Sequence, residues 1–115
     1  MHEMSLMASM LEIIEAQARL EGFGRVARVI LEIGRLSAVE PEAMRFAFDV
    51  TTRDSVAEGA ELVIEATPGL ARCLACGAEG PVQACYDPCA ACGGFPQQIL
   101  AGRDLRLLAL DVDVD

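Results

Sequence analysis

The chain has 115 residues and a net charge of −9, with nine basic residues against eighteen acidic ones. Hydrophobic residues make up 53% and charged residues 23%, a globular composition that excludes wholesale disorder. All the basic residues are arginine, and a phosphate-backbone binder needs a basic face, so nucleic acid and anionic membrane are excluded as expected partners. The charge suits cations or basic protein surfaces. No apolar run reaches the ~18 residues of a membrane helix. The first apolar stretch has no basic flank and is broken by Glu3, Glu12 and Glu15, so no secretory signal is expected and the expected location is cytoplasmic.

Residues 5–21 have helical periodicity. Leu6, Met10, Ile13 and Leu20 fall on one stripe, and Met7, Leu11, Ile14 and Ala18 on the next. Ser5 is the expected N-cap and Gly22 the expected stop. Residues 25–33 read as a strand in which Ala27, Val29, Leu31 and Ile33 share a face. Pro41 fits the first position of a second helix running to about residue 52, with Glu40 at its cap and Met44, Ala47, Phe48 and Thr51 inward. Residues 60–66 read as a second strand, with Leu62, Ile64 and Ala66 on one face, and 104–112 as a third, with Leu108, Leu110 and Val112.

Between these last two strands the composition shifts. Residues 68–97 hold all five cysteines, four of the five prolines and few large apolar side chains. A segment of that size cannot build a stabilising core and needs a staple. An odd number of cysteines in a chain expected in the cytoplasm points to a metal site and away from a disulfide framework.

The pattern is Cys73-Leu-Ala-Cys76-Gly and Cys89-Ala-Ala-Cys92-Gly-Gly. Each C-x-x-C can place two sulfurs on one ion, and the following glycine permits the positive-φ turn that lets backbone N–H groups approach the sulfurs. Two such pairs make a tetrahedral four-thiolate site for Zn(II), closed to further ligands and therefore structural. Iron on four thiolates would imply electron transfer, but no other redox motif accompanies it. Cys85 is the spare thiol: a loop residue, or an alternative ligand through Cys85-x-x-x-Cys89. The expected fold is therefore α/β of the α+β kind, a small three-stranded sheet with two helices plus an inserted four-cysteine zinc-ribbon-like domain. The α/β domain spans 1–69 and is completed by a strand within 96–115. The zinc-binding domain spans 70–95.

The single histidine is His2, in Met1-His2-Glu3. A large residue in second place is expected to leave Met1 on the chain. The α-amine of Met1, the amide nitrogen of His2 and its imidazole Nδ1 close joined chelate rings on one cation. Square-planar nitrogen ligation of this kind suits Ni(II) or Cu(II), not zinc. The Glu3 amide, or the Glu3 carboxylate, is a further candidate for nickel, and Glu40 a weaker one because a carboxylate at a helix start is explained as a cap.

Met1-His2-Glu3-Met4-Ser5, Val29-Ile30-Leu31-Glu32-Ile33-Gly34, Val39-Glu40-Pro41-Glu42 and the paired C-x-x-C motifs together resemble the HypA family, nickel metallochaperones of NiFe-hydrogenase maturation. The resemblance runs from Met1 to the closing strand. It implies a non-enzymatic nickel carrier, with Ni(II) bound by the N-terminal segment, here Met1, His2 and Glu3. The resemblance implies zinc on Cys73, Cys76, Cys89 and Cys92. It implies as partners a HypB-type GTPase and the hydrogenase large subunit, with urease served by some members. The competing reading is a zinc-ribbon protein-interaction module with no nickel role. An enzyme is disfavoured, since no base stands near an activated nucleophile.

Overall fold

The computed structural model describes residues 2–95 and 97–113. No described helix is long and apolar enough to cross a membrane. By compactness the chain divides into two units. The first comprises Met1–Leu31, Val39–Glu65 and Arg106–Asp115, the second Glu32–Ala38 and Ala66–Leu105. Among the described residues there are two helices and six strands, in the order α1 (Glu3–Glu21), β1 (Arg25–Gly34), α2 (Pro41–Thr51), β2 (Glu61–Thr67), β3 (Gly69–Cys73), β4 (Glu79–Val82), β5 (Gln97–Ala101) and β6 (Leu105–Asp113). They form two three-stranded sheets, ordered β2-β1-β6 and β4-β3-β5. The first is the sheet expected from sequence, and the second is built from two strands within the cysteine-rich stretch and one running just beyond it.

In the first unit, α1 begins two residues before the expected start. His2, not Ser5, is the N-cap, and its carbonyl accepts the Leu6 N–H at 2.9 Å. The reason lies in Glu3, which is buried and whose Oε2 accepts the Glu40 N–H at 3.1 Å, drawing the first turn onto the start of α2. Gly22 closes the helix with φ +77°, its N–H returning to the Ala18 carbonyl. The buried stripe of α1 is Met7, Met10, Ile14 and Ala18, whereas Ile13 and Leu20 lie exposed on the flank. The apolar stripe is thus narrower than the periodicity predicted, because a single helix face meets the core.

β1 supplies Val26, Val29, Leu31 and Ile33 as buried positions. Ala27 is exposed with Arg28 beside it, so the expected alternation holds only from Val29 onward. α2 buries Met44, Ala47 and Phe48, with Thr51 half-buried and Thr52 buried behind it, its hydroxyl donating to the Phe48 carbonyl at 2.7 Å. Ala66 on β2 and Leu108 on β6 are exposed, contrary to the expected faces. In β6 both Leu108 and Ala109 face outward, so the strand changes phase and Leu107 takes the half-buried position. Full burial of side chains such as Ile14 and Leu31 is worth roughly 1.5–3 kcal/mol each, which is how this unit is held.

In the second unit β3 is central and antiparallel to both neighbours, pairing Arg72 with Glu79 of β4 and Cys73 with Gln97 of β5. The Arg72 guanidinium meets the Glu79 carboxylate at 2.6 Å. The unit takes in Glu32–Ala38 as well as the later segment. Its buried side chains are few, with Ile33, Ala71, Cys73 and Cys89 as the buried apolar positions among the described residues.

Candidate metal centre

The two C-x-x-C turns have one backbone design used twice. The Cys73 carbonyl accepts the Gly77 N–H at 2.9 Å, and the Cys89 carbonyl the Gly93 N–H at 2.7 Å. The Cys73 N–H donates to the Ala78 carbonyl, and the Cys89 N–H to the Gly94 carbonyl. Gly77 and Gly93 sit at φ +80° and +72°, the left-handed conformation that a side chain would strain. The first cysteine of each pair is buried and the second exposed. β3 delivers the first turn, which leads into β4; the second turn leads toward β5.

Four sulfurs converge between these turns. The Sγ atoms of Cys73, Cys76, Cys89 and Cys92 all lie within 4.8 Å of one another, with Cys73–Cys92 and Cys76–Cys89 both at 3.6 Å. A tetrahedral ion with metal–sulfur bonds of ~2.3 Å has sulfur–sulfur edges of about 3.8 Å, so the thiols fit such an ion with little movement. Cys85 is exposed and outside this cluster, with its Sγ 3.8 Å from the Arg103 guanidinium.

Backbone N–H groups decide which thiols ionise most readily. The N–H groups of Cys76 and then Ala75 hold the Cys73 thiol down to about 6. The N–H groups of Cys92 and then Ala91 lower Cys89 in the same way. Cys92 receives the Gly94 N–H, which lowers it, but the neighbouring thiols of Cys73 and Cys76 outweigh that contribution and push it up to about 12. Crowded thiols therefore resist becoming four thiolates together, and a divalent cation removes that resistance.

The N-terminal candidates are placed differently. His2 is exposed at the start of α1. The first bond of the helix ladder runs from Leu6 to His2, and the Glu3 N–H turns back onto its own carboxylate. The Glu3 carboxylate is turned inward to the Glu40 backbone. The Glu40 carboxylate caps α2 by accepting the Glu42 N–H at 3.1 Å. Met1 lies outside the described residues. The sequence pattern did not signal the Glu3–Glu40 link, because it joins a side chain to a backbone group 37 positions away. The approach of backbone N–H groups to sulfur expected of the C-x-x-C-Gly turns is present, with the Ala75 N–H donating to Cys73 Sγ and the Gly94 N–H to Cys92 Sγ, each at 3.4 Å.

Comparison with known proteins bears on this arrangement. The family described as "Hydrogenase/urease nickel incorporation, metallochaperone, hypA" matches residues 1–112. The chain is 49% identical over 113 residues to the hydrogenase maturation factor HypA of Albidiferax ferrireducens, covering 98% of this chain and 100% of that one. It is 48% identical over the same length to the HypA of Rhodopseudomonas palustris, with the same coverage. Among solved structures, the solution structure of the Ni metallochaperone HypA from Helicobacter pylori matches with a TM-score of 0.71 at 27% identity, covering both chains completely. With the family matched over nearly its whole length, and the four-cysteine cluster assembled, the chain belongs to the HypA family of nickel metallochaperones and is not an enzyme.

Proposed function

We propose that this chain carries Ni(II) on its N-terminal segment and hands it to a NiFe hydrogenase during maturation, while Zn(II) on Cys73, Cys76, Cys89 and Cys92 holds the second unit in shape. The observation that carries the nickel reading is that the family match begins at residue 1, where the chain's single histidine is exposed at the start of a helix. The cargo ligands are the Met1 amine, the His2 amide and imidazole, and a fourth group such as the Glu3 amide. The Glu3 carboxylate, engaged by the Glu40 N–H, positions this turn instead of ligating.

A terminal chelate suits a carrier. It can be peeled from the ion ligand by ligand, whereas a closed cage cannot. Its affinity falls in acid, because amine, amide and imidazole must all lose protons to bind. Zinc supplies cross-linking and charge neutralisation in the second unit. With four protein thiolates it has no open position for substrate. The partners are a HypB-type GTPase and the hydrogenase large subunit, and the place of action is the cytoplasm. The −9 charge suits basic surfaces on those partners.

The test is Ni(II) titration of zinc-loaded protein. His2→Ala should abolish the tight nickel site and leave zinc content and fold unchanged. A short uncleaved N-terminal extension should weaken nickel similarly, although every side chain is retained. Full-affinity nickel binding by the His2→Ala protein would overturn the proposed ligation.

A further inference from the structure

The small sheet of the second unit has two ends, and they are held differently. At one end β3 finishes at Cys73, opposite Gln97 at the start of β5, and the thiol cluster lies there. At the other end β3 begins at Gly69, β4 finishes at Val82, and β5 runs into Gly102. Here a third piece of chain joins them, the segment Glu32–Ala38 that ends β1. The Gly34 N–H donates to the Asp104 carbonyl at 2.8 Å, the Arg35 N–H to Thr67 at 2.9 Å, and the Leu36 N–H to Gly102 at 2.8 Å.

Three glycines meet at this crossing, and none has room for a side chain. A Cβ on Gly34 would lie 2.0 Å from the Gly102 carbonyl oxygen. On Gly102, at φ +100°, it would lie 2.7 Å from the Gly69 Cα. On Gly69 it would meet the Val82 oxygen at 2.5 Å and the Leu36 side chain at 2.8 Å. Most of these neighbours are backbone, which cannot swing aside as a side-chain tip can. Glycine in a strand marks such close approach.

We propose that this glycine crossing is a positioning element for the metal centre. The thiols pin one end of β3, β4 and β5, and the crossing pins the other. Because the strands are only four or five residues long, neither end can loosen without moving the other. Residues 34–36, distant in sequence from every cysteine, therefore help set metal affinity. The inference rests on the reading that zinc occupies the four-cysteine cluster.

Chelator competition on the full chain, with Zn(II) as probe, tests it. Gly34→Ala and Gly69→Ala should each lower zinc affinity roughly ten- to hundredfold, the consequence of overpacking a closed site. Gly80→Ala, in β4 with open space at its Cβ, should leave affinity unchanged. Hydrogen exchange on the unaltered protein decides the matter without any variant. The Arg35 and Leu36 N–H groups should lose protection when zinc is removed, together with those of 73–94. Equal zinc affinities for Gly34→Ala and Gly80→Ala, or Arg35 and Leu36 protection indifferent to zinc, would overturn the crossing's role while leaving the zinc reading intact. Failure of the unaltered chain to bind zinc would overturn both.

Discussion

The first unit buries Met7, Ile14, Leu31 and Met44 almost completely, whereas in the second Leu74, Tyr86 and Phe95 stand exposed and the buried positions include two cysteines. In the first, side chains spaced by helical and strand periods meet around a common interior, and hydrophobic burial holds the fold. In the second, the strands are too short to bring enough apolar surface together, and the thiols take over that role. The same chain thus uses two sources of stability, and each should fail to a different perturbation. The division would also suit the proposed carrier, whose cargo segment would be mounted on the start of α1, in the unit that contains no cysteine.

The largest effect that separates the two is loss of one of the four clustered thiols. Cys73→Ala should release the metal and remove hydrogen-exchange protection from β3, β4 and β5, while the amides of α1 and α2 stay protected. The reciprocal change, Leu31→Ala, opens a cavity at a fully buried position and should cost the first unit about 2–5 kcal/mol. Metal content of the protein that remains folded should be unchanged. If Cys73→Ala exposed the α1 amides as fully as those of β3, the two sources of stability would be one.

What was legible in the sequence follows the same division. In the first unit, periodicity located both helices and all three strands, and Pro41 with Glu40 placed the start of α2. It misjudged faces where the chain departs from regular pleating, at Ala27 and Leu108, because periodicity assumes an unbroken alternation. Ser5 was misread as the cap because the real determinant, Glu3 reaching the Glu40 N–H, is a tertiary contact. In the second unit spacing alone picked out the four cysteines that converge, since C-x-x-C followed by glycine is a local design. The strands around the cysteines were not legible: β3, β4 and β5 carry no sustained alternation of large apolar residues, and backbone pairing defines them. Gly34 gave no local sign of its partners, because they lie at Gly69 and Gly102.

A smaller effect distinguishes the thiols from one another. Binding a metal to a thiol releases a proton only if the thiol still holds one. Cys92, pushed up to about 12, releases a proton at any neutral pH. Cys73, held at about 6 first by the Cys76 N–H and then by that of Ala75, releases none above that pH and one below it. These N–H groups belong to the C-x-x-C turn itself, so the effect survives some loosening of the strands. The sign follows from the lowered value: the advantage of the ionised Cys73 is complete above about 9 and is lost as pH falls through about 6. Zinc affinity measured against pH by chelator competition should therefore steepen by about one proton below pH 6. A constant slope through that region would show that the turn does not hold Cys73 ionised.

The smallest effect concerns Glu40, whose two polar groups do separate things. Its carboxylate accepts the Glu42 N–H and caps α2. Its backbone N–H donates to the Glu3 carboxylate and steadies the turn that carries His2. Glu40→Ala removes the first and keeps the second. Loss of a side-chain cap costs about 0.5–2 kcal/mol, and the exposed position of Glu40 places the expected cost toward the lower end. Thermal unfolding of the first unit should register that loss. Nickel affinity should not change, because the link to Glu3 is made by backbone that alanine also possesses. Zinc content should not change either, since the capped helix belongs to the first unit. A large fall in nickel affinity with little change in stability would reverse the assignment, making the Glu40 carboxylate part of the cargo site and not a helix cap.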